Sequence, residues 1–484
     1  MKIAVVGCAH GELDKIYEAL NHLETENGLK VDLLIICGDF QAVRNPADLQ
    51  CMAVPPKFRK LNTFYKYYSG TKTAPVLTIF VGGNHEASNY LSELAYGGWV
   101  CPNIFYMGYA NVINVGGIRI AGLSGIYKGR DYLKGHFETP PYDESSKRSV
   151  YHIRNMDVFR LKQIKSHLDI FISHDWPVGV YNYGDKEKLL QRKSFFKDEM
   201  DNNQLGSQPA QELLFKLKPS YWFAAHLHCK FAAIVPHEDS EKKTCTKFLA
   251  LDKCLPRRQY LQILDIESKT ESTHLEYDPE WLCILRSTNH LLNTSRRNSF
   301  MPGVGSDERW DFTPTEDELN GVMELLNSEL KVPLNFATTS EPYNPASPSS
   351  PRDNSLKSYI NPQTETFCKL LDITDPFSLV CNNSNGNLSI GEFSRTDYSS
   401  FLSSSNPDEI NISDEDSAEE STPSPIKPVN EPLLQFPEIK EVNVSLDDSK
   451  SEEKEVSSSA KVFKRRNWAL YKSEEDDSEQ TNES

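Results

Sequence analysis

A pattern that recurs along the first 230 residues constrains the fold most: a short apolar run, then a turn, then a side chain that can bind a metal ion. Its clearest instance is the apolar run 76–81, which leads into the motif 82–86, Gly-Gly-Asn-His-Glu. A run without polar alternation is typical of a parallel strand covered on both faces. The glycines let the backbone turn sharply beside a ligand. This pattern predicts an α/β fold with a site at the carboxyl ends of its strands.

Four other predicted strands end in the same way. The ligand-type residues that follow the five strands are Cys8 and His10, then Asp39, then Asn84 and His85, then His174, and finally His226 and His228. A single histidine is more often a surface or hydrogen-bonded core residue than a ligand. Strand ends on one edge of a sheet converge in space, however, so the repeated pattern predicts one shared site.

The residue types at these strand ends indicate metal chemistry. In an extended or turning backbone, residues two apart point the same way, so the pairs Cys8/His10 and His226/His228 can each face one metal cluster. Imidazoles and a carboxylate suit Zn, Fe or Mn, and a thiolate favours Zn or Fe(II). Asp39 is the one carboxylate among them and is placed to bridge two ions. Two such ions can generate hydroxide and clamp both oxygens of a phosphoryl displacement, which predicts phosphoester hydrolysis.

The charge distribution divides the chain. Residues 341–484 carry about −15 of the net charge of −17, so residues 1–340 are close to neutral. A local basic groove for nucleic acid therefore remains compatible with the overall acidity. We predict a catalytic domain over 1–268, a small, mostly helical domain over 269–335, and a disordered Ser/Pro/Asn-rich acidic tail over 336–484, because such a composition cannot bury enough apolar surface to offset the entropy of ordering.

The cysteines and the hydropathy of the sequence indicate the cellular compartment in which the protein is expected. Ten cysteines occur without a C-x-x-C spacing in a long chain, which favours reduced thiols in a cytosolic or nuclear protein. The chain contains no apolar segment of the length needed to span a bilayer, so no membrane partner is expected.

The segment 127–154 is predicted to be a long functional loop. It combines aromatic rings with cations, as surfaces that bind unpaired RNA do. The alternative is a solvated surface loop without a ligand. Its candidate substrate-binding residues are Tyr127, Lys128, Arg130, Arg148, Tyr151 and Arg154.

The order of the motifs resembles that of the calcineurin-like metallophosphoesterases. Two departures, Cys8 in place of the usual first aspartate and Ala225 in place of a glycine, are similar to the RNA lariat debranching enzymes. The resemblance covers roughly residues 1–335, including the segments 205–207, 221–228 and 248–256. It implies a sandwich of two mixed sheets flanked by helices, and it aligns the segment 127–154 with the lariat-recognition loop of that family.

The resemblance also implies roles for the site residues. One metal position would be held by Cys8, His10, Asp39 and His228, and the other by Asp39, Asn84, His174 and His226. His85 matches the histidine that protonates the leaving oxygen. Many relatives carry an aspartate that orients this histidine, whereas Ala42 and Val43 occupy that neighbourhood here, so its orientation is open.

The implied activity is hydrolysis of the 2′,5′-phosphodiester at the branch of excised intron lariat RNA, with two divalent ions (Fe²⁺, Zn²⁺ or Mn²⁺) as cofactors. A broader nucleotide or phosphomonoester phosphatase, or a binding scaffold with a decayed site, are the alternatives. The intron substrate suggests a nuclear protein that could also shuttle to the cytoplasm. The basic segment 461–466 could be a nuclear address or simply a basic patch. The tail is a candidate for binding protein partners.

Overall fold

The computed structural model describes residues 1–237, 244–347 and 356–386. In chain order, its strands are β1 (Lys2–Val6), β2 (Leu33–Ile36), β3 (Leu77–Phe80), β4 (Gly98–Cys101), β5 (Ile104–Tyr106), β6 (Ala110–Val115), β7 (Ile118–Leu123), β8 (Ile170–Ser173), β9 (Tyr221–Ala224), β10 (Phe231–His237), β11 (Thr244–Ala250), β12 (Leu261–Asp265) and β13 (Leu275–Tyr277).

Helices connect and flank these strands. They are α1 (Leu13–Asn27), α2 (Phe64–Tyr68), α3 (Ser88–Ser92), α4 (Gly129–Tyr132), α5 (Ser146–Ser149), α6 (Asn155–Lys162), α7 (Lys186–Arg192), α8 (Lys197–Asp201), α9 (Gln208–Leu217), α10 (Pro279–Ser287), α11 (Glu316–Leu325), α12 (Pro362–Leu371) and α13 (Pro376–Gly386). Over the described part of the chain, none of these helices has the length and apolarity that a membrane crossing requires.

The strands form two mixed sheets. The order in the first is β12-β1-β2-β3-β5-β4, and in the second β10-β11-β9-β8-β7-β6-β13. Neighbours from β1 to β5 in the first sheet run parallel, as do neighbours from β7 to β11 in the second. The outer strands are antiparallel to their neighbours. The predicted sandwich of two mixed sheets flanked by helices is confirmed.

The core lies in three layers because side chains alternate across each strand. In β1, Ile3 and Val5 face the core between the two sheets, where they join Ile120 and Ile172 of the second sheet. The next residues along β1, such as Ala4, face the other way, toward α1 and α2. The outer face of the second sheet is covered by α6, α9 and α10. Both sheets are therefore buried on both faces, as their continuous apolar strands predict.

Most predicted elements occur where the sequence places them. The strands that precede the site residues are confirmed, and the predicted helical C-terminal region contains the helices α10 and α11. The strands β4, β10 and β13 were not foreseen. The sequence-based boundary between residues 268 and 269 falls between β12 and β13, which lie in different sheets.

The predicted start of the acidic tail, at residue 336, is too early. Helix α12 begins after an Asn361 N-cap and buries Cys368 and Leu371 against the outer core of the second sheet. Gln363 donates to and accepts from the backbone of Trp99 in β4. A Ser/Pro/Asn-rich composition concealed this short amphipathic helix, which orders because packing offsets its entropy. The remainder of the predicted tail, from residue 387, lies outside the described residues.

Candidate active site

The ends of five strands, three in the first sheet and two in the second, bring the predicted ligands together. Strands β1, β2 and β3 deliver the first four ligands of the chain, and β8 and β9 deliver the other three. All seven predicted metal ligands therefore meet at one junction, although more than 200 residues separate the first from the last.

The backbone at this junction is strained in a consistent way. His10, Asp39, His226 and His228 all have left-handed φ values, of 47°, 44°, 61° and 48°. Such values are uncommon for residues other than glycine and persist only where the surrounding structure imposes them. The strain turns each side chain out of the line of its strand and toward the shared site.

Two glycines make room for the ligands. A Cβ atom at Gly38 would lie 2.2 Å from Nδ1 of His174, and one at Gly83 would lie 2.2 Å from Oδ1 of Asp39. Both distances are far below a van der Waals contact, so any side chain here would displace a site residue. Glycine is therefore required at both positions by the close approach of a site residue.

Four side chains form the first group. The ligand atoms of Cys8, His10, Asp39 and His228 all lie within 4.8 Å of one another. Nε2 of His10 is 3.4 Å from Nε2 of His228 and 3.6 Å from Oδ2 of Asp39. The sulfur of Cys8 accepts a hydrogen bond from the backbone N–H of His226 at 3.3 Å. A thiol, a carboxylate and two imidazoles at this spacing make a metal-ligand set.

A second group shares Asp39 with the first. Nε2 of His174 lies 3.1 Å from Oδ1 of Asn84 and 3.3 Å from Oδ1 of Asp39. The ring of His226 is 4.9 Å from that of His174, centroid to centroid. Asp39 thus presents one oxygen to each group, which is the arrangement expected of a carboxylate that bridges two ions.

Burial and neighbouring charge set the protonation of these groups. Burial lowers the pKa of His10 to about 4 and the pKa values of His226 and His228 well below the ordinary range, so these rings are neutral at pH 7. Burial pushes the pKa of Asp39 upward, but His174, His85 and His10 outweigh it and hold that pKa well below its usual value. Neutral rings at His10, His226 and His228 and an ionised carboxylate at Asp39 are the protonation states that bind metals.

Whether this set fits a metal can be tested on His174. Its Nδ1 lies 2.9 Å from the backbone oxygen of Cys37, which can only accept, so Nδ1 carries the proton of the neutral ring. Nε2 then presents its lone pair to the oxygens of Asp39 and Asn84. The buried Oδ2 of Asp39 lies 3.6 Å from Nε2 of His10 and 3.3 Å from Nδ1 of His85. Lone pairs that converge around a buried carboxylate fit cations at this site.

The protonation of Cys8 is also consistent with a bound cation at this site. Burial, reinforced by Asp39, raises the pKa of its thiol well above the ordinary value, so the protein alone keeps it protonated. A bound cation reverses this by stabilising the thiolate directly. Loading of the first group should therefore release a proton from Cys8.

His85 borders both groups. Its Nδ1 lies 3.3 Å from Oδ2 of Asp39, and its backbone N–H donates to Oδ1 of Asp39 at 2.9 Å. Its ring is 5.5 Å from that of His10. The sequence left the orientation of His85 open because the usual aspartate is replaced by Ala42 and Val43. In the structure, the bridging carboxylate itself contacts the ring.

Sequence reasoning assigned no role to two further residues that support the site. The buried Glu86 carboxylate accepts hydrogen bonds from the backbone N–H groups of Phe40, Gln41 and Gly83, at 2.7, 2.7 and 2.9 Å. The Gln41 side chain reaches Nδ1 of His10, at 3.3 Å. Glu86 therefore ties the turn after β2 to the turn after β3. A carboxylate directly after the Asn-His pair was the available signal for Glu86.

The segment 127–154 begins beside the metal ligands. The backbone N–H of Tyr127 lies 3.3 Å from Oδ2 of Asp175, which follows His174. The predicted substrate-binding residues Tyr127, Lys128 and Arg148 are partly exposed, and Arg130 is exposed. The ring of Tyr127 packs edge-on against that of Tyr132, 5.4 Å between centroids. Four of the six predicted residues are thus accessible to a substrate.

The other two predicted substrate-binding residues are buried, which corrects their assignment. Tyr151 is 8% exposed and packs in a small apolar cluster with Tyr142 and Cys51. Arg154 is 0% exposed. Neither side chain presents a surface to RNA, because an aromatic-and-basic composition does not reveal which members of a loop form its own core.

Arg154 instead holds the loop together. Its Nη2 donates to Oε1 of Glu138 at 2.7 Å and to the backbone oxygen of Ser149 at 2.8 Å, and its Nη1 donates to the backbone oxygen of Asp131 at 2.7 Å. Nδ1 of His152 lies 2.8 Å from the Asp131 carboxylate. One buried guanidinium therefore links three points of the loop that are up to 18 residues apart in sequence.

Comparison with known proteins extends these observations. Residues 1–230 match the calcineurin-like phosphoesterase family, and residues 243–376 match the family described as lariat debranching enzyme, C-terminal domain. The chain is 52% identical over 456 residues to the lariat debranching enzyme of Homo sapiens, covering 90% of this chain and 83% of that protein. It is 51% identical over 444 residues to lariat debranching enzyme A of Xenopus laevis, covering 87% and 82%. It is 46% identical over 431 residues to the lariat debranching enzyme of Arabidopsis thaliana, covering 87% and 97%.

Proposed function

The chain belongs to the lariat debranching enzymes, within the calcineurin-like phosphoesterases, and we propose that its debranching activity is carried out by the two ligand groups that share Asp39. It is a metal-dependent hydrolase that acts on branched RNA and opens the 2′,5′-phosphodiester of lariats. The single observation that carries the proposal is the convergence of seven ligand side chains and His85 at one junction of strand ends.

We assign the metal positions residue by residue. Cys8, His10, Asp39 and His228 would hold one divalent ion, and Asp39, Asn84, His174 and His226 would hold the other. When bound, two such ions supply a nucleophile at neutral pH and neutralise charge on the phosphoryl oxygens. The protein holds the His174 ring in the tautomer that presents Nε2 and holds the turns of Asp39 and His85 together through Glu86.

We assign proton delivery to His85. Its Nδ1 faces the Asp39 carboxylate at 3.3 Å, so this contact orients the ring. Nε2 is the remaining nitrogen and gives its proton to the departing 2′ oxygen. Burial of the ring, which is 9% exposed, restricts it to the few orientations compatible with that transfer.

Selection of the branch is assigned to the accessible part of the segment 127–154. Tyr127, Lys128, Arg130 and Arg148 combine a stacking surface with cations for phosphates. The loop starts next to Asp175 and His174, so a nucleotide that it binds lies beside the metal ligands.

The metals are proposed to be Fe²⁺ or Zn²⁺ at the position that contains Cys8, with Mn²⁺ as an alternative at either position, because thiolates favour the softer ions. Elemental analysis of protein purified without added metal identifies them. Cys8→Asp should shift activation toward Mn²⁺. The matched control is Cys245→Ser, which changes a cysteine outside the site. Unchanged metal content and metal dependence in Cys8→Asp would remove Cys8 from the ligand set.

We further propose that the protein acts in the nucleus, since excised introns arise there, and that residues 387–484, which lie outside the described part, bind protein partners. A fluorescent fusion of the full chain, compared with one lacking residues 461–466, tests the nuclear address. If the two fusions had the same distribution between nucleus and cytoplasm, the assignment of residues 461–466 as a nuclear address would be contradicted.

The assay for the function compares a branched RNA with a linear RNA of the same sequence, using metal-loaded protein. Only the 2′,5′ bond of the branched RNA should be cut. His85→Ala should keep its metal content and lose turnover. Native-rate cleavage by this variant would exclude the assigned role of His85, whereas hydrolysis of simple phosphomonoesters without debranching would exclude the proposed function.

A further inference from the structure

A segment from the C-terminal region lies directly along the loop 127–154. This segment, residues 293–300, has the sequence Asn-Thr-Ser-Arg-Arg-Asn-Ser-Phe and is called the basic arm below. The backbone N–H of Gly135 donates to the backbone oxygen of Ser295 at 2.9 Å, and the N–H of Ser299 donates to the oxygen of Leu133 at 2.8 Å. Two backbone hydrogen bonds to residues 133 and 135 fix the arm against the loop.

Two further contacts hold the arm in place. The Asn155 side chain donates to the backbone oxygen of Ser299 at 2.6 Å. A Cβ atom at Gly135 would lie 2.1 Å from the backbone oxygen of Asn293, so the two backbones touch and only glycine fits between them. These contacts give the arm a defined position against the loop.

The arm presents cations and an aromatic ring to solvent. Arg296 and Arg297 are exposed, and the Phe300 ring is 76% exposed. The guanidinium carbon of Arg296 lies 4.9 Å from the ring centroid of Phe137 in the loop. An exposed phenyl ring three residues after paired arginines suits single-stranded nucleic acid, since bases stack on such a ring and phosphates pair with the cations.

The position of the arm relates it to the active site. Lys128 begins the loop beside the metal ligands, and Leu133, which contacts the arm, follows five residues later. At no more than about 3.6 Å per residue, these two positions lie within about 18 Å of each other. An RNA strand that leaves the branch along the loop can therefore reach the arm after a few nucleotides.

We propose that the basic arm is a second RNA-binding element, which binds the phosphates and one base of the intron strand beyond the branch through Arg296, Arg297 and Phe300. The proposal rests on the debranching function assigned above and adds a substrate contact outside the segment 127–154. Single-stranded RNA is favoured over an acidic protein because the arm continues the surface of a loop that already combines aromatic rings with cations.

The first experiment measures binding directly. The full chain carrying His85→Ala is titrated with a long branched RNA and with a minimal branched trinucleotide at several salt concentrations. Adding Arg296→Ala and Arg297→Ala should weaken binding of the long RNA only. It should also flatten the slope of log K against log salt by about 1.4, since each lost contact to a single strand removes about 0.7.

The second experiment separates stacking from charge. Phe300→Ala should weaken binding of the long RNA about 5-fold to 150-fold, the range expected for one lost stacked base, whereas Phe300→Tyr should retain it. In the enzyme with an intact His85, the arm variants should raise KM on long lariats and leave kcat unchanged. The rate on the minimal substrate should not change.

Matched controls exclude a general charge effect. Lys188→Ala with Lys216→Ala removes two exposed lysines from other helices and should leave binding and salt slope unchanged. Three results would overturn the proposal. The first is an unchanged salt slope in the Arg296/Arg297 variant, and the second is an equal loss of affinity for the long and the minimal RNA in that variant. The third is a variant that loses binding to an acidic protein but keeps its affinity for RNA. Absence of cleavage by the unsubstituted chain, with binding still dependent on the arm, would instead contradict the debranching function.

Discussion

Nε2 of His174 lies 3.3 Å from Oδ1 of Asp39, while the other nitrogen of the same ring is engaged by the backbone oxygen of Cys37. In the neutral ring, a lone pair thus faces a buried carboxylate that already accepts from the backbone of His85. This contact is favourable when a cation lies between the two groups. The protein fixes the ring before any ion arrives, which lowers the reorganisation needed for binding.

Asp39→Asn should remove metal from both positions because the bridging charge is shared by them. The amide can still accept from the backbone N–H of His85, so the turn should keep its shape. We expect loss of debranching and a fall in bound metal, measured by elemental analysis after dialysis. Asp201→Asn, an exposed carboxylate paired with Lys197, is the control and should keep both properties. Full metal occupancy in Asp39→Asn would contradict the bridging assignment.

Arg154→Met should destabilise the protein by about 3–5 kcal/mol, because it leaves the buried Glu138 carboxylate without its cation. Urea unfolding measures this loss, and hydrogen exchange should localise it to residues 131–149. Combining the change with Glu138→Gln should recover part of the stability. Arg130→Ala, at a residue whose side chain is 55% exposed, should cost far less. If Arg154→Met reduced RNA binding with unchanged stability, Arg154 would contact substrate after all.

Asp131 should make the loop sensitive to acid. Burial alone would raise its pKa, but hydrogen bonds from His152 and Lys134 outweigh burial and lower it below the unfolded value of 3.8. A carboxylate whose folded pKa is lowered contributes stability above its unfolded pKa and loses that contribution as pH falls through the folded pKa. Between pH 6 and pH 3, the free energy of unfolding should therefore decrease more in the unsubstituted protein than in Asp131→Asn. If the free energies of unfolding of the two proteins changed in parallel with pH, the pKa of Asp131 would not be lowered in the folded protein.

Removal of residues 387–484 should leave folding and debranching intact, whereas removal of residues 336–484 should destabilise the protein. The longer deletion removes the Thr339 hydroxyl from the buried Arg44–Glu93 pair. It also removes the buried side chains of Leu371 and Phe377, whose burial together contributes about 3–6 kcal/mol. Thermal unfolding of the two truncated proteins measures the difference. Equal midpoints would place the end of the folded unit near residue 335.

The local pattern of the sequence predicted much of the fold and of the site. Apolar runs marked the buried strands, and the residues after each run include the seven predicted ligands and His85, which meet at the strand ends. This worked because strand periodicity and the turn after a strand are encoded by adjacent residues, and because parallel strands bring their ends together. The same reasoning missed the strands β4, β10 and β13, the C-terminal helices α12 and α13, and the supporting roles of Gln41 and Glu86.

The sequence by itself therefore determined the α/β sandwich and the convergence of the seven predicted ligands at its strand ends. The tertiary structure alone decided that Arg154 and Tyr151 are buried while Arg130 is exposed, that Asp39 contacts His85, and that residues 293–300 lie against residues 133–135. Each of these depends on contacts between segments distant along the chain, or on how a loop packs upon itself. Residues adjacent in sequence specify neither the long-range contacts nor the packing of the loop, since the same aromatic and basic side chains serve equally as core or as surface.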